Sequence, residues 1–150
     1  EKLSFLNNKN FQWRFLTGNN IFLDIKFIGK KISYKDIRIL MEVKKNITWL
    51  NLSNCLLTDA LLTNIGEFEN LTRLKIHNNI LSDKGISSLI DLRNLSELNI
   101  YNTKITDKSF NVFSKMTGLK KIFVWNSNVS LNGINAFKSK NPEIEVISGI

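Results

Sequence analysis

The sequence has almost none of the residues that metal, redox or membrane chemistry requires. It contains one cysteine, Cys55, so it can form no internal disulfide, and its redox compartment stays open. It contains one histidine, His77, whereas metal sites need several ligands grouped together. No stretch approaches the roughly 20 consecutive apolar residues of a membrane helix, so this segment is not expected to insert into a membrane. No signal peptide is recognisable, and the chain begins at Glu1, which reads as a mature or excised fragment. A glycine-rich phosphate loop is absent, as is any nucleophile paired with a base. The expectation is a non-enzyme with no cofactor and no metal. The one proline, Pro142, sits close to the C-terminus.

What the chain does have is ordinary for a globular domain. Its 150 residues suffice for one domain with a sizeable core. Apolar residues make up 43% and charged residues 23%, which fits neither a disordered nor a membrane-embedded chain. The formal net charge is +8, with most of the excess in residues 1–46. A basic balance suits a nucleic acid, an anionic surface or an acidic protein, and it also serves solubility alone. Here the cations are interleaved with acids and form no long run, which favours solubility.

The dominant signal is an internal repeat of 24 residues. Leu50, Leu74, Leu98 and Ile122 form one apolar column, and Leu52, Ile76, Ile100 and Val124 a second. Leu57, Leu81, Ile105 and Val129 form a third. The units begin at Ile47, Leu71, Leu95 and Leu119; an earlier unit begins at Phe22, runs one residue longer, and uses Ile25, Phe27 and Ile32. Within each unit a segment such as residues 71–76 alternates apolar and polar, the period of a strand with one buried face. Asn54, Asn78, Asn102 and Asn126 close the strands, as a residue tolerant of turn geometry should. Thr58, Ser82, Thr106 and Ser130 then stand where a hydroxyl caps a helix. Asp59, Asp83 and Asp107 follow, where a negative charge suits the first turn of their own helix. An apolar stripe at helical spacing comes next: Leu62, Ile65, Phe68; Ile86, Leu89, Leu92; Phe110, Phe113, Met116. Asn46, Asn70, Asn94 and Gly118 recur after it, residue types that accept the left-handed conformation ending a helix.

Each unit therefore reads as strand, turn, helix, turn. One unit cannot bury both of its apolar faces, but a stack of units buries a continuous core. The strands should lie parallel on the concave side and the helices on the convex side. The ends depart from the pattern. The run Phe11-Gln-Trp-Arg-Phe-Leu16 reads as a capping strand with Trp13 in the cap's core. Leu131 replaces the first-turn aspartate, Asn141-Pro142 stops the last helix, and residues 144–147 read as a final strand. This predicts an N-terminal cap over 1–21, five repeats over 22–143 and a C-terminal capping strand over 144–150.

The unit Leu-x-x-Leu-x-Ile-x-Asn-x-x-Ile-Thr-Asp resembles bacterial leucine-rich repeats of the helical "Thr-Asp" kind, and Cys55 falls where their cysteine-containing subtype places its cysteine. The resemblance implies an α/β fold, a right-handed leucine-rich-repeat solenoid. The segments 47–53, 95–107, 119–125 and 141–146 also look like the C-terminal repeat region of planctomycete and Bacteroidetes membrane proteins that carry a c-type cytochrome domain. That likeness implies a bacterial, extracytoplasmic (periplasmic or cell-surface) module. The haem signature Cys-x-x-Cys-His is absent, so no haem function carries over.

Strand alternation assigns the side chains that face the groove. One column is Ile28, Ser53, His77, Tyr101 and Trp125. A second is Lys26, Asn51, Lys75, Asn99 and Phe123. A third is Asp24, Trp49, Arg73, Glu97 and Lys121, with Trp49 at a margin near the cap. The C-terminal half concentrates Arg73, Lys75, His77, Glu97, Asn99, Tyr101, Lys121, Phe123 and Trp125, which are the expected partner-binding residues. Aromatics and arginine on an exposed face are the types enriched at protein-binding hot spots. Two readings stand: a protein-binding patch, or aromatics that only tile the sheet, since cross-strand pairs add about 0.2–1 kcal/mol by themselves. Polyanion or glycan binding through the basic groove is an alternative, opposed by Asp24, Glu97 and Glu145; nucleic acid is therefore not expected as the partner. A structural spacer, monomeric or weakly dimeric through the aromatic face, is another. His77 reads as a contact residue rather than a catalytic base, and Cys55 as a buried structural thiol.

Overall fold

In the computed structural model, residues 3–7, 10–16, 18 and 21–149 are described, and the apolar columns of the repeat form one continuous core. Residues 1, 2, 8, 9, 17, 19, 20 and 150, which the expected end caps include, lie outside the described residues. Among the described residues seven strands form one sheet in chain order: β1 (Phe11–Phe15), β2 (Leu23–Phe27), β3 (Ile47–Asn51), β4 (Arg73–Lys75), β5 (Glu97–Asn99), β6 (Lys121–Phe123) and β7 (Glu145–Ile147). β1 runs antiparallel to β2 and caps it, pairing Phe11 with Phe27 and Phe15 with Leu23. All later pairs are parallel and in register with the repeat: Leu50, Leu74, Leu98 and Ile122 stand side by side, and Val146 continues the row.

Parallel neighbours require a crossover, and short helices supply it. α1 (Ser4–Asn7) precedes β1, and the crossovers are α2 (Tyr34–Glu42), α3 (Asp59–Ile65), α4 (Asp83–Ser87), a 3-10 turn (Asp107–Ser109) leading into α5 (Phe110–Phe113), and α6 (Leu131–Lys140). Their expected stripes are buried, including Leu62, Ile65 and Phe68 of the first set and Phe113 and Met116 of the third. Each buried Leu, Ile or Phe contributes about 1.5–3 kcal/mol by leaving water. Helices as short as α4 and α5 are marginal in water and hold their shape by this packing.

The turn chemistry follows the sequence in part. Asn54, Asn78, Asn102 and Asn126 all adopt left-handed backbone, with φ of 56°, 54°, 52° and 53°. Their amides also form a ladder, Asn78 donating to Asn54, Asn102 to Asn78, and Asn126 to Asn102 at 2.7–2.9 Å. Asn46, Asn70 and Asn94 do not take the expected left-handed conformation. Their side chains instead donate to the preceding repeat, to the carbonyls of Ile21, Lys45 and Glu69. Gly118 holds the same station without an amide, because the Arg93 carbonyl lies where a Cβ would be.

The aspartates stand in the first turn of their own helices as expected, and their carboxylates also bond to the next repeat. Asp59 accepts from the backbone N–H and hydroxyl of Ser82, 23 residues on, at 2.9 and 2.6 Å. Asp83 accepts likewise from Thr106 and additionally from the Ser109 hydroxyl. Asp107 accepts from the N–H and hydroxyl of Ser130. Each carboxylate therefore clamps the helix start of the next repeat, and Leu131 ends the series. The hydroxyls of Ser82, Thr106 and Ser130 still cap their own helices; Thr58, with Tyr34 in place of an aspartate before it, makes no side-chain cap.

The register of β2 against β3 is interrupted once. Leu23, rather than Phe22, pairs with Ile47, and the register then shifts so that Asp24 pairs with Trp49. Thr48, the counterpart of Thr72 and Ser96 in later repeats, is left unpaired opposite β2, a bulge in β3. Its hydroxyl is buried with no hydrogen-bond partner among the described residues. At the C-terminus α6 stops as expected: the Asn141 side chain donates to the Phe137 carbonyl, and Pro142 follows.

Candidate functional site

The concave face is built by alternation. Because Leu50, Leu52 and their counterparts point into the core, the residues between them point into the groove. The column at the strand exits holds three rings on consecutive strands. His77 stacks on Tyr101 with centroids 4.4 Å apart and planes 15° from parallel, and Tyr101 stacks on Trp125 at 4.4 Å and 12°. Parallel strands in register impose this spacing, since adjacent strands lie about 4.8 Å apart. Trp125 remains 42% exposed at the end of the ladder.

His77 is half-buried, and its Nδ1 has no hydrogen-bond partner among the described residues. Burial lowers its pKa from the ordinary 6.5, and the neighbouring Lys75 charge lowers it further. Both effects favour the neutral imidazole. No acid or nucleophile pairs with it, and no group of three or more metal-ligating side chains exists among the described residues.

The column on the opposite flank neutralises itself. Arg14 on β1 pairs with Asp24 at 2.9 Å, Arg73 lies 3.9 Å from Glu97, and Lys121 lies 3.0 Å from Glu145. The Arg73 guanidinium also sits 4.3 Å over the Trp49 ring, and the Lys121 ammonium 5.5 Å from the Phe123 ring. These pairs are exposed, so each is worth at most about 1 kcal/mol. Their structural effect is to hold the cations along the groove wall.

The middle column is different. The Asn51 carbonyl oxygen accepts from the Ser53 N–H and hydroxyl at 3.0 and 2.7 Å, and that of Asn99 accepts from the Tyr101 N–H at 3.4 Å. Both amide nitrogens are thereby left toward the groove. Lys26 and Lys75, on either side of Asn51 in the register, make no ion pair among the described residues. The N-terminal half of this face forms a groove of about 390 Å³, lined by Gln12, Trp13, Lys26, Trp49, Asn51 and Arg73 among others.

Sequence reasoning brought the nine expected residues to one face, in three adjoining columns. It omitted Lys26, Asn51 and Trp49 from the site, although the same columns contain them, and it omitted Gln12 and Arg14 of the capping strand. The antiparallel pairing of Arg14 with Asp24 brings that strand into the groove wall. Trp13 is half-buried against the core; its ring meets Phe15 edge-on at 5.4 Å and its indole N–H donates to Asn7. Cys55 is fully buried, and its thiol donates to the Leu52 carbonyl, the bond that Thr103 and Ser127 make with Ile100 and Val124 in later repeats. Burial pushes the Cys55 thiol up to about 11. No described helix is long and apolar enough to cross a membrane.

No protein-family model and no curated protein matches the chain. Among solved structures, an internalin (inlF) from Listeria monocytogenes is similar with a TM-score of 0.61 at 20% identity, over 78% of this chain and 32% of that one. Internalin C2 (inlC2) from the same organism gives 0.54 at 21% identity, over 66% and 41%. The leucine-rich-repeat ectodomain of the Arabidopsis receptor kinase HAESA, solved in complex with an N-terminally extended IDA peptide hormone, gives 0.50 at 23% identity, over 79% and 19%. This chain thus spans less than half the length of each of these structures. With the in-register parallel sheet and the 24-residue ladders, these likenesses establish the fold as an α/β leucine-rich-repeat solenoid.

Proposed function

We propose that this chain is a non-catalytic protein-recognition module that takes its partner on the concave face. The observation that carries the reading is the ladder of His77, Tyr101 and Trp125. Three flat rings held in one stack present a rigid surface, so few rotamers are lost when a partner covers it. Aromatic stacking stabilises the sheet by about 0.5–1.5 kcal/mol per pair. Covering the exposed part of Trp125 adds a gain of about 25 cal/mol for each Å² of apolar surface removed from water. Arg73, Lys75, Glu97, Asn99 and Lys121 supply the polar surround that orients a partner, and Phe123 adds apolar surface beside the ladder. The peptide held by the HAESA ectodomain supports the same use of such a scaffold. On the resemblance to cytochrome-linked repeat regions, the module belongs to bacterial extracytoplasmic proteins.

The test is the double variant Tyr101→Ala/Trp125→Ala, compared with the parent for binding to a random displayed-peptide library and for its circular dichroism. The reading expects retained fold and loss of the selected binders. Undiminished binding by a folded double variant would return the ladder to sheet tiling.

A further inference from the structure

The middle column of the groove has a property that its composition conceals. Lys26, Asn51, Lys75 and Asn99 stand on four consecutive strands in register. Both asparagines use their carbonyl oxygens on their own strand, toward Ser53 and Tyr101. From Lys26 to Asn99 the column offers a ligand ammonium, amide N–H, ammonium, amide N–H: four donors in a row. Both lysines are exposed. The acids that could have neutralised them, Asp24 and Glu97, are held by Arg14 and Arg73 on the flank. The Lys75 charge is felt next door, where it disfavours protonation of His77. The column continues to Phe123, beside Trp125, and then to Ile147 on the last strand.

We propose that this donor column receives an extended acidic peptide segment, lying across the strands, with two carboxylate side chains three residues apart and an apolar side chain three residues further on. This rests on the concave-face reading above. The spacing comes from the sheet. Lys26 and Lys75 are two strands apart, about 9.6 Å at the usual strand separation, and a polyproline-II chain brings residues i and i+3 to the same side at about 9.3 Å. Phe123 lies four strands from Lys26, about 19 Å, close to the 18.6 Å or so from i to i+6 of the same chain. Each carboxylate would meet an ammonium with an amide donor beside it, and the apolar residue would meet the ring edge of the aromatic ladder. A polyanion fits less well. The flank beside the column is already ion-paired, Asp24 with Arg14, Glu97 with Arg73 and Glu145 with Lys121, so the column's own two lysines are what remains for a ligand, which suits two placed charges better than charge along a whole length.

The experiment is fluorescence anisotropy on the whole chain with three labelled probes. The first is a synthetic peptide with glutamates at i and i+3 and leucine at i+6. The second has glutamine for both glutamates, and the third is a heparin oligosaccharide. The proposal expects the glutamate peptide to bind and to weaken as salt rises, because its charges sit near the surface. It expects the glutamine peptide to bind at least tenfold more weakly, a difference of about 1.4 kcal/mol. Lys26→Glu/Lys75→Glu should abolish binding of the glutamate peptide, and a peptide with lysines at i and i+3 should recover it. Lys26→Gln/Lys75→Gln should give an intermediate loss. Equal binding of the two peptides, or no binding of the first, overturns the proposal. Tighter, lysine-dependent binding of heparin overturns it too and assigns the column to polyanions. The displayed-peptide selection separates the two readings. Binders that depend on Tyr101 and Trp125 but ignore both lysines refute the acidic segment and leave concave recognition standing. Binders indifferent to the aromatics and the lysines alike refute both.

Discussion

Replacing Asp83 by alanine tests whether the aspartates bind repeats together. Asp83 accepts from the Thr106 N–H, the Thr106 hydroxyl and the Ser109 hydroxyl, all in the next repeat. Ser109 is only 1% exposed, so its hydroxyl has no water to turn to. A buried donor left without a partner costs about 1–3 kcal/mol, and the two half-buried Thr106 groups, which water can reach, cost about 0.5 kcal/mol each. Asp83→Ala should therefore lose about 3 kcal/mol, or about 6–12 °C in Tm for a chain of this length. Asp59→Ala and Asp107→Ala each free two donors rather than three, and the Asp107 pair is exposed. They should lose less, with Asp107→Ala the mildest. Urea denaturation of the three variants measures this order. If the carboxylates only favoured their own helix starts, all three would cost a similar 0.3–1 kcal/mol, and that result refutes the inter-repeat clamp. The acid limb gives a second check. Burial alone would raise the Asp83 pKa, but the bonds from Ser109 and Thr106, helped by Lys108, bring it below the ordinary 3.8. A depressed carboxyl stabilises the fold above 3.8, and that contribution is lost as pH falls through the folded value. The gap between parent and Asp83→Ala should narrow below about pH 3.8.

Other expectations follow from the same geometry. Cys55, with its thiol pushed up to about 11 and fully buried, should not react with a thiol reagent at pH 8 until the chain is unfolded in urea. The His77 imidazole should titrate below 6.5 by NMR, and Lys75→Ala should move it back upward; because the unfolded chain takes that proton first, stability should fall as pH drops below about 6.5. Gly118→Ala should destabilise, since its methyl would meet the Arg93 carbonyl, and a fall in the urea midpoint would show it.

The repeat was readable because the stack turns sequence period directly into spatial register. A column such as Leu50, Leu74, Leu98 and Ile122 is a row of neighbours once strands pair in order. The strand-closing asparagines were readable because only a few residue types accept their φ. Long-range polar bonds were not readable in this way. Asp59 stands beside its own helix start in sequence, while its partner Ser82 is 23 residues away. Asn70 looks like a helix terminator, while its amide serves Lys45. The 24-residue repeat of each residue type was visible in both cases, but a period does not say whether a side chain serves its own unit or a neighbouring one. The groove's composition was likewise legible and its polarity was not. Nothing in the residue type says that Asn51 turns its oxygen to Ser53 and leaves its N–H groups outward. The pairing of Arg73 with Glu97 could have been found, since opposite charges one repeat apart in a single column become neighbours.

The most direct test of the account is an NMR titration of the parent chain with a peptide selected from the displayed library. Concave-face recognition predicts that the Trp125 indole and His77 imidazole signals shift with the same affinity as the peptide's own, while amides of α3 and α4 on the helical side stay in place. Shifts confined to the helical side, with Trp125 and His77 unmoved, would contradict it.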